Sequence, residues 1–376
     1  MKRENIFKIL LSLFVIVLGL PVSELLLRYL RPAELVGFTY MPFVYKLDEQ
    51  NGYSYQENSR GRMRRNFEID NEVVINSGGF HDIERNTPDQ YENLRIVALG
   101  DSFTASLHVG VSAMWTQILE EQLSKNGAGP VEIVNLGLDG TGTDIQVNIL
   151  SSYLRSHQAD VVILAFYAND IDDMKLHKIY RENYRGYLIT YQDQEQKRKI
   201  LSFIDQNNPS LFIKKIYEHS YTYRAIVRTL SSLNVFEKGR LMFSNYVRPK
   251  DVGIEDMSQY SSEELKQRIT RIFGQMIALS KRNDFKLVIV PIPSREDPSE
   301  SISALNENIP AELMQEMRIL DIVPAINDLL EEHGLDYDQL YWKDDGHFNE
   351  LGNDIFALAL MGVLYQDRIL DAKMPN

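Results

Sequence analysis

The stretch that decides the fold is NLRIVALGDSFTAS, residues 93–106. An apolar run from Ile96 to Leu99 ends in Gly100, and Asp101 and Ser102 follow at once. A short continuous apolar run bounded by turn residues reads as a strand buried on both faces. Gly-Asp-Ser is ordinary turn chemistry. It is also what holds a serine nucleophile at the mouth of a sheet. A serine alone does neither acid–base nor electrostatic work. It needs a base, a group that orients the base, and donors for an oxyanion.

The pattern around this strand is regular. VEIVNLG (131–137) and DVVILAFY (160–167) read as further buried strands. SAMWTQILEEQLSKNG (112–127) has apolar residues at helical spacing, closed by Gly127, and TDIQVNILSSYLRSH (143–157) reads as a second helix. Strand–helix alternation predicts an α/β fold, a parallel sheet covered by helices on both faces. The alternation stops over residues 171–265, which are rich in Tyr and Lys and mostly helical in flavour. A structureless loop of that length is uncommon in a compact domain, so this stretch is predicted to be a helical cap insertion. The core then resumes with the helix SEELKQRITRIFGQMIALSKRN (262–283), the strand KLVIVPIP (286–293) and the helix RILDIVPAINDLLEEHG (318–334). It closes on a loop and helix, YWKDDGHFNELGNDIFALALMGVLY (341–365). There is no internal repeat and no low-complexity tract.

Composition narrows the chemistry. The 376 residues contain no cysteine, which excludes disulfides, thiolate catalysis and cysteine-ligated zinc. A net charge of −13 without a long basic block argues against a nucleic-acid partner.

The N-terminus carries Lys2, Arg3 and Lys8, then 15 uncharged residues from Ile9 to Ser23. Read over Ile6 to Leu27, the run is 22 residues, close to the about 20 that span a bilayer core. No small-residue cleavage site follows it, so an uncleaved signal anchor is expected over a cleaved signal peptide. The expected organisation is an N-terminal transmembrane helix (1–31), a lead-in that packs on the core (32–92), and the main domain (93–376). The N-terminus would lie inside and the main domain outside the membrane.

Three candidate positions lie just past the first three strands: Ser102, Gly140 in LGLDGTGT, and Asn169 in YANDI. In a doubly wound sheet that edge is where ligands bind. A fourth element, DDGHFN, holds Asp344 and His347 in the loop before the last helix. Together they supply an ester hydrolysis site. Ser102 attacks the carbonyl, and His347 takes its proton and returns it to the leaving alcohol. Asp344, three residues before the histidine, folds back to hold one ring nitrogen. The oxyanion is met by the Ser102 N–H, the Gly140 N–H and the Asn169 amide. Asp345 is expected to point elsewhere, to solvent. His108, close to Ser102, is a rival base without a D-x-x-H partner. A metal is not expected: one histidine beside two adjacent carboxylates is a poor ligand set. No cofactor is implied. The elbow G-x-S-x-G of α/β-hydrolases is absent, since Thr104 stands at the second glycine.

These residues carry a resemblance to the SGNH/GDSL hydrolase superfamily. GDSFT resembles its first block, NLGLDGTGT its second, YAND its third and DDGH its D-x-x-H block, in order over roughly residues 94–365. The third block usually reads G-x-N-D, and here Tyr167 stands at the glycine. The resemblance implies a three-layer flavodoxin-like fold with Ser102, Asp344 and His347 catalytic and Ser102, Gly140 and Asn169 at the oxyanion. Upstream, VVINSGGFHD (73–82) is similar to the lead-in of membrane-anchored bacterial members. Such proteins often act on acyl groups of cell-surface polysaccharides. The resemblance therefore implies a membrane-held esterase removing O-acetyl or another short acyl group from a carbohydrate, in the periplasm or at the cell surface. An O-acyltransferase using the same acyl-enzyme is the alternative. A non-catalytic glycan-binding or assembly subunit is the second. A membrane acyltransferase or polysaccharide-assembly protein is an implied partner. Six cap tyrosines (Tyr180, Tyr184, Tyr187, Tyr217, Tyr221 and Tyr223) offer sugar-stacking faces, but packing of cap on core is the commoner use of such rings.

Overall fold

The lead-in forms two antiparallel hairpins. In the first, Tyr45–Asp48 (β1) pairs with Gly52–Tyr55 (β2), and in the second, Arg60–Arg65 (β3) pairs with Ile69–Val74 (β4). The computed structural model describes residues 3–30, 44–65, 68–85, 94–126, 130–175, 261–343 and 345–370, with shorter pieces between 182 and 247.

Five strands make the main sheet: Leu94–Gly100 (β5), Val131–Asn135 (β6), Val161–Phe166 (β7) and, after the insertion, two more described below. Within the insertion, Glu182–Tyr184 (β8), Tyr187–Ile189 (β9) and Tyr246–Val247 (β10) form a small separate sheet. The main sheet is completed by Lys286–Pro291 (β11) and Arg318–Ile319 (β12). Its order is β12-β11-β7-β5-β6, parallel throughout. Numbered among themselves along the chain, these strands read 2-1-3-4-5 from the β6 edge, the flavodoxin-like order, whose switch point lies between β5 and β7. Ser102 follows β5 and Asn169 follows β7, so both stand at that point.

The near-continuous apolar strands are buried on both faces, as a parallel sheet requires. Val97, Leu99, Val162, Leu164 and Ile289 face one core, closed by the helices Thr143–Tyr153 and Ser262–Asn283. Ile96, Ala98, Ile163, Val288 and Val290 face the other, closed by Trp115–Lys125, Val323–His333 and Glu350–Gln366. The lead-in joins the first core through Tyr53, Tyr55, Met63, Ile69 and Val73.

Three expectations are corrected. The insertion is not only helical. Beside the helices Gln194–Asn207 and Tyr221–Ser232 it holds the β8–β10 sheet, because aromatic and β-branched residues on either side of a turn at Arg185 (φ 52°) favour a hairpin. Tyr187 packs there with Ile189, Ile200 and Ile204, while Tyr180 and Tyr217 lie outside the described residues. The helix expected from residue 318 begins only at Val323, since Arg318 and Ile319 form the edge strand.

The third correction concerns the N-terminus. A helix does run from Arg3 to Leu30, yet among the described residues no helix is long and apolar enough to cross a membrane. The uncharged run is bounded by Lys8 and Glu24, and 15 helical residues reach only about 22 Å against a core of about 30 Å. Glu24 is instead engaged by protein. It accepts hydrogen bonds from Ser220 Oγ (2.9 Å) and the Tyr221 (3.1 Å) and Thr222 (2.9 Å) N–H groups, capping the Tyr221–Ser232 helix.

Candidate active site

The nucleophile candidate sits on a turn made by close packing. A Cβ on Gly100 would lie 2.2 Å from Thr104 Oγ1 and 2.9 Å from the Ala165 carbonyl, so only glycine lets the chain turn there. Asp101 caps the single helical turn Ser102–Ala105 by accepting the Phe103 N–H at 3.0 Å. Ser106, in the left-handed region at φ 47°, ends it.

The candidate base comes from 245 residues away. His347 Nε2 lies 2.7 Å from Ser102 Oγ. Its other nitrogen, Nδ1, lies 2.5 Å from Asp345 Oδ1. The carboxylate that meets Nδ1 is Asp345, which was expected to point elsewhere; the expected Asp344 lies outside the described residues. The physical reason is local. Asp345 Oδ1 also accepts the His347 main-chain N–H at 3.0 Å, an i to i+2 side-chain turn that brings carboxylate and imidazole to one edge. Asp345 is buried, with its side chain wholly out of solvent.

The loop is pinned at both ends. Tyr341 and Phe348 form an antiparallel bridge, and Trp342 N–H donates to the His347 carbonyl at 3.0 Å. Asn349 caps the last helix through the Gly352 N–H and donates to the Gln339 and Tyr341 carbonyls. The imidazole is also held on its faces. His108 stacks on one at 3.9 Å between ring centroids and 18° between planes, and Phe103 packs against it at 4.9 Å. Tyr167, at the position where glycine is usual, packs on Phe103 at 4.6 Å and so supports the same ring from behind.

His108 is not placed as a base. Its Nε2 lies 3.9 Å from Asp345 Oδ1, and the nitrogen that meets Ser102 belongs to His347. The structure does bring a second histidine to the carboxylate, contrary to the expected set. His108, Asp345 and His347 offer three donor atoms within 4.8 Å of one another. They fit a metal poorly: stacked rings send their in-plane lone pairs along near-parallel lines, and both His347 nitrogens already face partners.

The loops after β6 and β7 lock onto the nucleophile turn. Asn135 Nδ2 donates to the Thr104 carbonyl at 2.7 Å, and Leu138 N–H to the Gly100 carbonyl at 3.1 Å. Gly140 follows, exposed and in the left-handed region at φ +67°. Thr143 Oγ1 (3.2 Å) and Gln146 Nε2 (3.4 Å) reach Asp170, tying this loop to the one that carries Asn169. Burial raises Asp101 above its ordinary value, while the Phe103 N–H, the His347 charge and an Asn169 hydrogen bond oppose the rise. Burial likewise raises Asp170, reinforced by the nearby Asp101 charge. Asn169 opens the helix Asn169–Lys175 after β7, the strand paired beside β5, which carries Ser102 at its end.

Such an arrangement can do acyl chemistry. It has a hydroxyl against an imidazole, the imidazole on a buried carboxylate, and loops with Gly140 and Asn169 at the neighbouring strand ends. Among solved structures the chain is similar in fold to TesA, at 13% identity over 72% of this chain and 98% of that one, with a TM-score of 0.38. A lipase/acylhydrolase from Enterococcus faecalis is 12% identical over 73% and 96%, with a TM-score of 0.36. The esterase EstA from Pseudoalteromonas sp. is 9% identical over 73% and 99%, with a TM-score of 0.36. No curated protein matches the sequence. The family model for GDSL-like lipases and acylhydrolases matches residues 96–360, from the first strand of the sheet into the last helix. The chain belongs to the GDSL-like lipase/acylhydrolase family and is a hydrolase acting on ester bonds.

Proposed function

We propose that the protein removes a short acyl group, acetyl in the first instance, from a carbohydrate by way of a Ser102 acyl-enzyme. The observation that carries this reading is the continuous line of contacts from Asp345 through His347 to Ser102 Oγ. His347 Nε2 takes the serine proton as Oγ adds to the ester carbonyl, and Asp345 stabilises the imidazolium. The tetrahedral oxyanion is met by the Ser102 and Gly140 N–H groups and the Asn169 amide. Collapse expels the sugar hydroxyl, which receives the proton from His347. Water then attacks the acyl-enzyme by the same proton path and releases the acid.

The carbohydrate half of the proposal rests on the resemblance of VVINSGGFHD (73–82) to the lead-in of members acting on cell-surface polysaccharides; an open cleft of about 690 Å³ lies beside the His347 loop, without Ser102 or His347 in its lining. Arg295, Asp338, Trp342, Lys343 and Glu350 are among its lining residues. Membrane attachment belongs to the same proposal. Phe14, Leu18, Val22, Leu25 and Leu26 are each more than half exposed on one N-terminal helix, with Lys2, Arg3 and Lys8 before them.

The test is to incubate the full chain and its Ser102→Ala variant with an aryl acetate and with acetylated oligosaccharides, and to identify products. Acetate release lost in the variant, with an acetyl adduct on Ser102 in the wild type, is expected. Wild-type turnover in Ser102→Ala refutes the nucleophile. Flotation with vesicles, lost on deletion of residues 1–30, tests the attachment.

A further inference from the structure

One carboxylate next to the site has no part in the chemistry above. Asp139 directly precedes Gly140, and all its polar groups are engaged by the lead-in hairpin. Tyr45 and Tyr55 are directly opposite each other in the β1–β2 register, and Tyr53 lies two residues before Tyr55. Strand periodicity therefore puts the three rings on one face. Tyr45 Oη donates to Asp139 Oδ2 at 2.9 Å and Tyr55 Oη to Oδ1 at 2.5 Å. Asp139 N–H donates in turn to Tyr55 Oη at 3.2 Å. Tyr53 Oη donates to the Asp139 main-chain carbonyl in a short hydrogen bond.

That last bond has a geometric consequence. The Asp139 carbonyl and the Gly140 N–H belong to one planar trans peptide unit, in which they point in opposite directions. Fixing the carbonyl fixes the line along which the N–H points. Accepting a hydrogen bond at the oxygen also polarises the unit and strengthens the N–H as a donor. Residue 140 cannot vary freely either: a Cβ there would stand 3.2 Å from Tyr53 Oη, on a backbone already at φ +67°.

We propose that Tyr53, with Tyr45 and Tyr55 holding the Asp139 side chain, is a positioning residue that aims the Gly140 N–H at the oxyanion. The proposal rests on the reading of Gly140 as an oxyanion donor. It gives the lead-in a role in the reaction through the Asp139–Gly140 peptide. The other lead-in contacts run the same way. Asn71 Nδ2 donates to the Leu107 and Val109 carbonyls on either side of His108, and His81 Nδ1 meets the Ala105 carbonyl at the end of the Ser102 turn.

The experiment uses the full chain and Tyr53→Phe, which keeps the ring and removes the hydroxyl. Tyr55→Phe is the second variant should the first fail to fold. Amide hydrogen exchange over residues 137–142 is measured beside kcat and KM for an aryl acetate. The inactivation rate with an alkylphosphonate ester, whose adduct oxygen occupies the oxyanion position, is read in parallel. Faster exchange is expected, with kcat and phosphonate inactivation both lowered by about tenfold or more and KM unchanged, since a misplacement of about 1 Å can cost about a hundredfold. Unaltered exchange overturns the clamp. Faster exchange with unaltered kcat and inactivation overturns its link to the oxyanion. Failure of the underlying reading looks different: replacing the residue-140 amide by an ester (glycolic acid in place of Gly140), which removes the N–H without adding a side chain at φ +67°, would leave phosphonate inactivation intact while Tyr53→Phe still raised exchange.

Discussion

Replacing Asp345 by Asn probes the site where it departs most from expectation. The carboxylate is wholly out of solvent and accepts two bonds at one oxygen, from His347 Nδ1 at 2.5 Å and from the His347 main-chain N–H at 3.0 Å. An amide keeps the volume and removes the charge. It can also turn its NH2 toward Nδ1, which then becomes an acceptor and moves the ring proton to Nε2. Nε2 is the atom 2.7 Å from Ser102 Oγ, so the base would meet the nucleophile already protonated. In the serine-protease triad the equivalent change costs about 10⁴-fold in kcat, which is about 5.5 kcal/mol of transition-state stabilisation. The same order is expected here, because Asp345 is likewise a buried carboxylate on Nδ1 of the imidazole. Aryl acetate hydrolysis would be followed from pH 5 to 9, with circular dichroism and a melting curve confirming that each variant is folded. KM should change little. Asp344→Asn is the internal comparison and should stay near wild type. A folded Asp345→Asn enzyme with wild-type kcat, or a large loss confined to Asp344→Asn, would refute the reasoning.

Two other outcomes are expected. Asn169→Ala should lower kcat by about a hundredfold or more with little change in KM, as loss of one oxyanion donor does. A raised KM at constant kcat would reassign Asn169 to substrate binding. His81 carries a stability prediction. Burial lowers it from the ordinary 6.5 to about 4, and although its Nδ1 meets the Ala105 carbonyl, Nε2 has no partner among the described residues. The unfolded chain therefore takes up this proton below pH 6.5, while the folded chain resists until about pH 4. Stability from this source is full above pH 6.5 and falls by about 3 kcal/mol on the way down to pH 4. Urea unfolding of wild type and His81→Gln at pH 7 and 4.5 should show a smaller pH difference in the variant. Equal differences would refute the assignment.

Much of this was legible in the chain because it rests on local pattern. Strands buried on both faces announce themselves as apolar runs, and the turn residues after β5, β6 and β7 mark the sheet edge where ligands bind. The meeting of Ser102 and His347 followed from that edge. The choice between adjacent aspartates did not, because it depends on a side-chain turn at Asp345 that spacing cannot distinguish from a fold-back at Asp344. Tyr45, Tyr53 and Tyr55 lie in the stretch read only as a lead-in that packs on the core. Their partner lies more than 80 positions away, and only the packed hairpin shows that three hydroxyls meet one residue. Tyr167 looked like a defect in a glycine block, yet its ring backs Phe103 against the base.

The tether between the two ends of the domain has a kinetic meaning. The helix Glu350–Gln366 that follows His347 is anchored early in the chain, where the Trp115 N–H donates to Asn353 Oδ1 at 3.0 Å across 238 positions. Contacts of such sequence separation close late, after more local structure has formed. A nascent chain that has completed β5 through β11 but still holds this helix in the ribosome carries a serine with no base. Activity is thus withheld until the Glu350–Gln366 helix has emerged and docked, and recovery of turnover on refolding would mark that docking, not the formation of the sheet.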